Sequence, residues 1–249
     1  MLSFCDINCS IGRRAAPNPG MFHTTETLGR QMDRFRIGRA LAWHTASLDH
    51  HPIEGNEEIS RIAMQHRNIF PLWVVMPHHT GEFPPPEDLV GMMREQGVYA
   101  AKLVPQHNVL SYSLESWSCK ELFDAFASSS IPVLIDADMM HWDTLCRICT
   151  DHPKLQIVLT RVSYRSGRYL YPLLGRFEHL HVEISWYKNF GGIEDICRKF
   201  GAERLLFGTD MPFFDPGPVV AMILYADLPG EQKQLVASGN FFRILGVSS

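Results

Sequence analysis

The stretch IPVLIDADMMHWDTLCRICTDHPKLQIVLTRV, residues 131–162, decides the fold. Ile131–Asp138 is a short apolar, partly β-branched run that ends in acidic residues, and Gln156–Val162 is a second run of the same kind. Between them His141–Thr150 is amphipathic, with Cys146 and Cys149 on one helical face. Strand, helix, strand in that order forces parallel pairing, because the helix has to carry the chain back to the start of the next strand.

The pattern continues in both directions. Further strands are expected at Phe4–Ile11, Arg39–Thr45, Ile69–Pro77, Val98–Pro105, Leu180–Tyr187 and Arg204–Met211, eight in all. Helices are expected at Asn56–Arg67, Pro85–Gln96, Trp117–Ser128, Tyr169–Phe177, Gly192–Phe200, Pro218–Tyr225 and Glu231–Leu245. Eight strand–helix units in about 250 residues is the size of a (β/α)8 TIM barrel, an α/β fold in a single domain over residues 1–249. An open doubly wound sheet is the competing topology, but no Gly-rich phosphate loop follows the first strand.

The chain of 249 residues is 45% hydrophobic and carries a formal net charge of -4. No basic field exists to hold a nucleic-acid backbone or an anionic membrane, so neither is an expected partner. Six scattered cysteines, without a signal peptide or a long unbroken apolar stretch, point to a reduced, cytoplasmic setting. A small-molecule substrate is the expected partner, and assembly into a homo-oligomer stays open.

In a parallel barrel the functional groups sit at the carboxyl ends of the strands. Those ends are polar here: Asp6, Asn8 and Ser10; His44; His78 and His79; Lys102; Asp136 and Asp138; Arg161; Glu183, Ser185 and Tyr187; and Asp210. Strand alternation shows which of these share a face, but not which face is inside. Asp210 is the leading candidate for a general base, with a salt bridge to Arg161 or Lys102 as its structural alternative. Asp136 and Asp138 form a candidate like-charge pair, and His44 and His78 are candidate acids or bases. Lys102 and Arg161 suit a substrate carboxylate or phosphate, and Asn8, Glu183 and Tyr187 complete the expected substrate-binding set.

Two segments carry a family resemblance. Glu203–Pro212, ERLLFGTDMP, and Gly239–Gly246, GNFFRILG, resemble the eighth strand and closing helix of the amidohydrolase-related TIM-barrel hydrolases, a family that includes small decarboxylases and lactone hydrolases. Asp6 stands where that family's first-strand signature opens. The resemblance implies histidines on strands 1, 5 and 6 holding a divalent metal, with an Asp on strand 8 taking a proton from metal-bound water. In this chain Asn8 and Ser10 fall at the His-x-His positions, Asp136 at the strand-5 histidine and Arg161 at the strand-6 histidine; only Asp210 matches. Asn and Ser are weak ligands and an Arg cation repels a divalent ion, so the usual metal site is expected to be missing. A divalent Zn, Mn or Mg held by a carboxylate-rich set of Asp6, Asp136, Asp138, Glu183 and Asp210 is the remaining cofactor option.

The resulting expectation is a hydrolase, or a decarboxylase, acting on a small carboxylate-bearing molecule by metal-free acid–base chemistry. Asp210, Asp136, His44 and His78 are its catalytic candidates. The alternative is a non-catalytic ligand-binding or assembly protein on a degenerate barrel. The many polar groups kept at the strand ends favour the enzyme.

Overall fold

Parallel strands tilt into a ring when every neighbour pairs in sequence order, and that is the arrangement found. The structure is a computed structural model and describes residues 2–15 and 20–248. The strands are β1 (Phe4–Ile11), β2 (Ile37–His44), β3 (Ile69–Val75), β4 (Ala100–Leu103), β5 (Val133–Asp136), β6 (Ile157–Thr160), β7 (Leu180–Glu183) and β8 (Leu205–Leu206). Each pairs in parallel with the next. The ring closes between β1 and the chain after β8: Ile7 N–H donates to Phe207 O (3.0 Å), Asp210 N–H to Asn8 O (2.9 Å) and Ser10 N–H to Met211 O (2.9 Å). The chain is therefore a (β/α)8 barrel.

A helix follows every strand: α1 (Thr25–Phe35), α2 (Pro52–Gln65), α3 (Pro86–Glu95), α4 (Ser116–Ser129), α5 (Trp142–Asp151), α6 (Gly167–Arg176), α7 (Gly192–Phe200) and α8 (Gly217–Tyr225). Helix α1 was absent from the expected pattern. Its start is fixed by a capping box between Thr24 and Thr27, and its buried face is only Leu28 and Met32. The expected helix over Glu231–Leu245 is present as one continuous helical run, Gly230–Gln234 and Asn240–Leu245 joined by a wider π-helical turn over Leu235–Gly239.

Alternation along the strands sorts the side chains. Leu41, Trp43, Leu72, Val74, Ala100, Leu134 and Val158 pack together inside the barrel. Residues of the other parity, such as Ala42, Val75, Leu103, Ile135 and Leu159, pack against the helices. The inner parity carries Lys102, Asp136 and Thr160 into the interior at the carboxyl ends of β4, β5 and β6.

Buried polar side chains lock β8 into register. The Arg204 guanidinium donates to the carbonyls of Leu174, Leu180 and Phe177. Asn240, wholly buried, donates its amide to Ala202 O (2.8 Å) and Leu205 O (2.7 Å), which ties the closing helix to that strand. Buried amides satisfied in this way cannot slip without leaving unpaired groups. Among the described residues no helix is long and apolar enough to cross a membrane.

Candidate active site

Two residues leave their strands with left-handed backbone, Arg161 at φ 54° after β6 and Asp210 at φ 54° after β8. Each such conformation is costly for a residue with a Cβ, and sites where side chains must be aimed are where it collects. The turn brings Arg161 across the barrel mouth, where its Nε lies 3.4 Å from Asp136 Oδ2 and 3.3 Å from Asp210 Oδ2. The guanidinium faces the Trp186 and Phe213 rings, with Cζ 5.5 and 5.3 Å from their centroids. Its two Nη groups make no hydrogen bond to the described residues.

Asp136 is held from three sides. Lys102 Nζ donates to Oδ1 at 2.9 Å, the Thr160 hydroxyl donates to the same oxygen, and Arg161 faces Oδ2. Burial alone would raise its carboxyl, but the Lys102 and Arg161 charges outweigh it and leave the group below its ordinary range. Asp136 is an anchored anion that orients two cations, not a proton donor.

Asp210 behaves differently. Burial pushes its carboxyl up, and Arg161 and the Trp186 hydrogen bond only partly offset this. Trp186 Nε1 donates to Oδ2 at 2.8 Å, so Oδ2 is engaged by both Trp186 and Arg161. Oδ1 has no hydrogen-bond donor among the described residues. A carboxylate with one fixed oxygen, one open oxygen and a proton affinity raised above its ordinary value by burial is suited to general-base work.

A cavity of about 100 Å³ opens at this point. Lys102, Asp136, Arg161 and Asp210 line it together with Trp43 and Phe213. Arg14, in the loop after β1, reaches its rim with Nε fixed on both oxygens of Asp49 (3.0 and 3.1 Å).

Behind the cavity lies a second polar layer. Asp6 accepts from the backbone and hydroxyl of Thr209 and from Asn8 N–H, and burial lifts its carboxyl to about 7. Glu183 accepts from the backbone and hydroxyl of Ser185, and burial lifts it to about 8. Asn8 Nδ2 reaches Glu183 Oε2 only at 3.5 Å, while buried Asn8 Oδ1 has no partner. A neutral Glu183 donating its proton to the Asn8 amide oxygen, with that amide turned over, gives that oxygen a partner. Gly208 makes room for this glutamate: a Cβ there would sit 2.5 Å from Glu183 Cγ.

Four expected site residues lie elsewhere. His44 has the parity of Ala40 and Ala42, so it turns toward α2, where Glu58 and Arg61 act on it, and its Nδ1 accepts from Ala46 N–H (3.2 Å). His78 lies against His79 with the rings tilted by 44° and faces Glu121 of α4 at 3.6 Å, outside the mouth. Tyr187 is wholly buried in the layer between barrel and helices, because β7 ends at Glu183 and the alternation stops there. Asp138 is exposed on the short turn after β5 and forms no pair with Asp136. Glu183 and Asn8, expected to bind substrate, lie beside each other in the layer behind the cavity and do not line it. Arg14, Phe213 and Thr160 were not among the expected functional residues. Of these only Arg14 left a trace in the sequence, as one of two arginines just past the first strand.

The donor set does not fit the family's divalent metal. Ser10 Oγ turns to Met211 O (3.5 Å), and the Arg161 guanidinium stands between the two carboxylates that a cation would need. The lone pairs of Asp6 and Glu183 are taken up by local donors, so the carboxylate-rich alternative does not converge either. Among the described residues no three His, Cys, Asp or Glu side chains are grouped to hold an ion.

Comparison with known proteins agrees with this barrel. A solved structure of 5-carboxyvanillate decarboxylase from Sphingomonas paucimobilis superposes with a TM-score of 0.74 at 14% identity, covering 100% of both chains. A 2,6-dihydroxybenzoate decarboxylase from Rhizobium gives 0.73 at 12%, covering 99% of each. A manganese-bound 5-carboxyvanillate decarboxylase from Novosphingobium aromaticivorans gives 0.76 at 13%, covering 99% of this chain and 100% of the other. No curated protein matches the chain. At such identities the superpositions establish the fold. The sequence model of the amidohydrolase family, however, matches residues 54–247, well over half the length. By that match the chain belongs to the amidohydrolase family.

Proposed function

We propose that the protein is a hydrolase of a small carboxylate-bearing molecule and that it works by acid–base chemistry without a divalent ion. The observation that carries this reading is the Arg161 guanidinium, held through Nε between Asp136 and Asp210 where it lines the cavity. A planar guanidinium held in place matches a carboxylate, and the Trp186 and Phe213 rings flank it.

In this scheme the substrate carboxylate rests on Arg161 and Lys102 steadies the ion-pair network through Asp136. Asp210 Oδ1 takes a proton from a water molecule as the water oxygen bonds to the electrophilic carbon. The leaving group then takes that proton from Asp210 as its bond to the carbon breaks. Hydrolysis is favoured over decarboxylation of the held group, because a guanidinium grips a charged carboxylate more strongly than neutral carbon dioxide and so opposes its loss. The family membership and the carboxylic-acid decarboxylases among the structural neighbours support a carboxylate substrate.

The test is a survey of small carboxylate-bearing amides, esters and lactones, read by acid release, on wild type and two variants. Asp210→Asn should lower kcat by about 100-fold or more with the fold intact. Arg161→Lys should act mainly on KM, raising it by about tenfold. Full activity of Asp210→Asn would remove the proposed base.

A further inference from the structure

We infer that the site takes a short aliphatic carboxylate, of up to about four carbons, and excludes aromatic acids. This rests on the carboxylate-anchoring reading above and adds the size and shape of the rest of the molecule. The cavity holds about 100 Å³. An apolar cavity that takes up benzene measures about 150 Å³. A carboxylate seated on the Arg161 Nη edge uses part of that volume, and what remains is too small for a six-membered ring.

Two aromatic side chains, Trp43 and Phe213, bound the cavity. Trp43 is on β2, nearly fully buried, and paired in register with Ser10 of β1. Lys102 Nζ lies 6.0 Å from its ring centroid, which sets tryptophan and ammonium against each other across the floor. Phe213 is held by its own N–H donating to Asp210 O (2.9 Å), and its ring faces Arg161. At the rim the guanidinium of Arg14, anchored on Asp49, is placed to meet an oxygen on the far end of the ligand. The cavity lining holds three cations, Arg14, Lys102 and Arg161, against the two carboxylates of Asp136 and Asp210. Arg14 is already paired with Asp49, and Lys102 and Arg161 with Asp136 and Asp210, so a monocarboxylate with a neutral carbonyl or hydroxyl oxygen disturbs this balance less than a dianion.

The experiment is isothermal titration of the full chain with pyruvate, lactate, benzoate and 2,6-dihydroxybenzoate. Trp43→Ala and Phe213→Ala, which widen the cavity from two different elements, are titrated alongside. The two aliphatic acids should bind wild type at least about tenfold tighter than the two aromatic ones. Either widened variant should bring benzoate to within about threefold of pyruvate. Benzoate binding wild type as well as pyruvate does would overturn the size limit and leave the carboxylate anchor standing. No binding by any of the four acids would overturn the anchor and the size limit together. Unchanged selectivity in both folded variants would overturn the assignment of Trp43 and Phe213 as the limiting walls.

Discussion

Glu183→Gln separates the cost of burying a carboxyl group from everything else that group does. Glu183 is wholly buried, and burial lifts it from 4.5 to about 8 despite the two bonds from Ser185. Between about pH 5 and 8 the folded protein therefore keeps a proton that the unfolded chain has already released. Fewer protons are bound in the unfolded state, so stability falls as pH rises, by about 1.4 kcal/mol per pH unit for each such proton. The contribution from Glu183 is complete below its unfolded value and is lost as pH climbs through about 8. Asp6, lifted to about 7, adds a slope of the same sign over a lower range. Gln has no proton to lose, keeps the shape, and can donate Nε2 to the Asn8 amide oxygen as a neutral glutamic acid would. The variant should match wild type near pH 5, fall less steeply by about 1.4 kcal/mol per unit up to about pH 8, and end a few kcal/mol more stable near pH 9. Urea unfolding at a series of pH values, with the denaturant slope checked for constancy, measures this directly. Parallel wild-type and variant curves would show that Glu183 is ionised in the folded state and that burial does not govern it.

Gly208→Ala should cost about 1–3 kcal/mol, because the new Cβ meets the buried Glu183 side chain at 2.5 Å and neither can move aside; thermal unfolding reads it, and a neutral result would mean that the glutamate is mobile. Elemental analysis of untagged protein should find well under one equivalent of zinc or manganese, and dialysis against a chelator should leave stability unchanged, since Arg161 holds the place between the carboxylates. One equivalent of tightly held metal would mean that Arg161 moves aside to admit it.

All eight strands were legible as apolar runs, since a strand buried on both sides has to be apolar throughout. Their ends were not. Ile131–Asp138 shortens to Val133–Asp136 and Leu180–Tyr187 to Leu180–Glu183, because the ladder stops where the chain bends toward a loop. Those lost residues decided the fate of Tyr187 and Asp138, which strand alternation had placed beside Glu183 and Asp136. Helix α1 was missed because its core face is a single Leu28–Met32 pair within a polar segment. In the site, Lys102, Asp136, Arg161 and Asp210 were legible as strand-end charges, and they do converge. His44 and Trp43 show what was not: adjacent residues on one strand, only one of which can face inward, with no local signal to choose. The aim of Arg161 depends on a backbone angle that an arginine rarely adopts, and no feature of its neighbours announces that angle.

The left-handed backbone at Arg161 and Asp210 also shapes how this protein can change. Each conformation costs the fold on the order of 1 kcal/mol that glycine or asparagine would not incur. Selection for yield or heat resistance alone would thus drift toward Gly or Asn at both positions and produce a sturdier barrel with an empty mouth. An arginine and an aspartate held at these two angles are residues that robustness alone would discard.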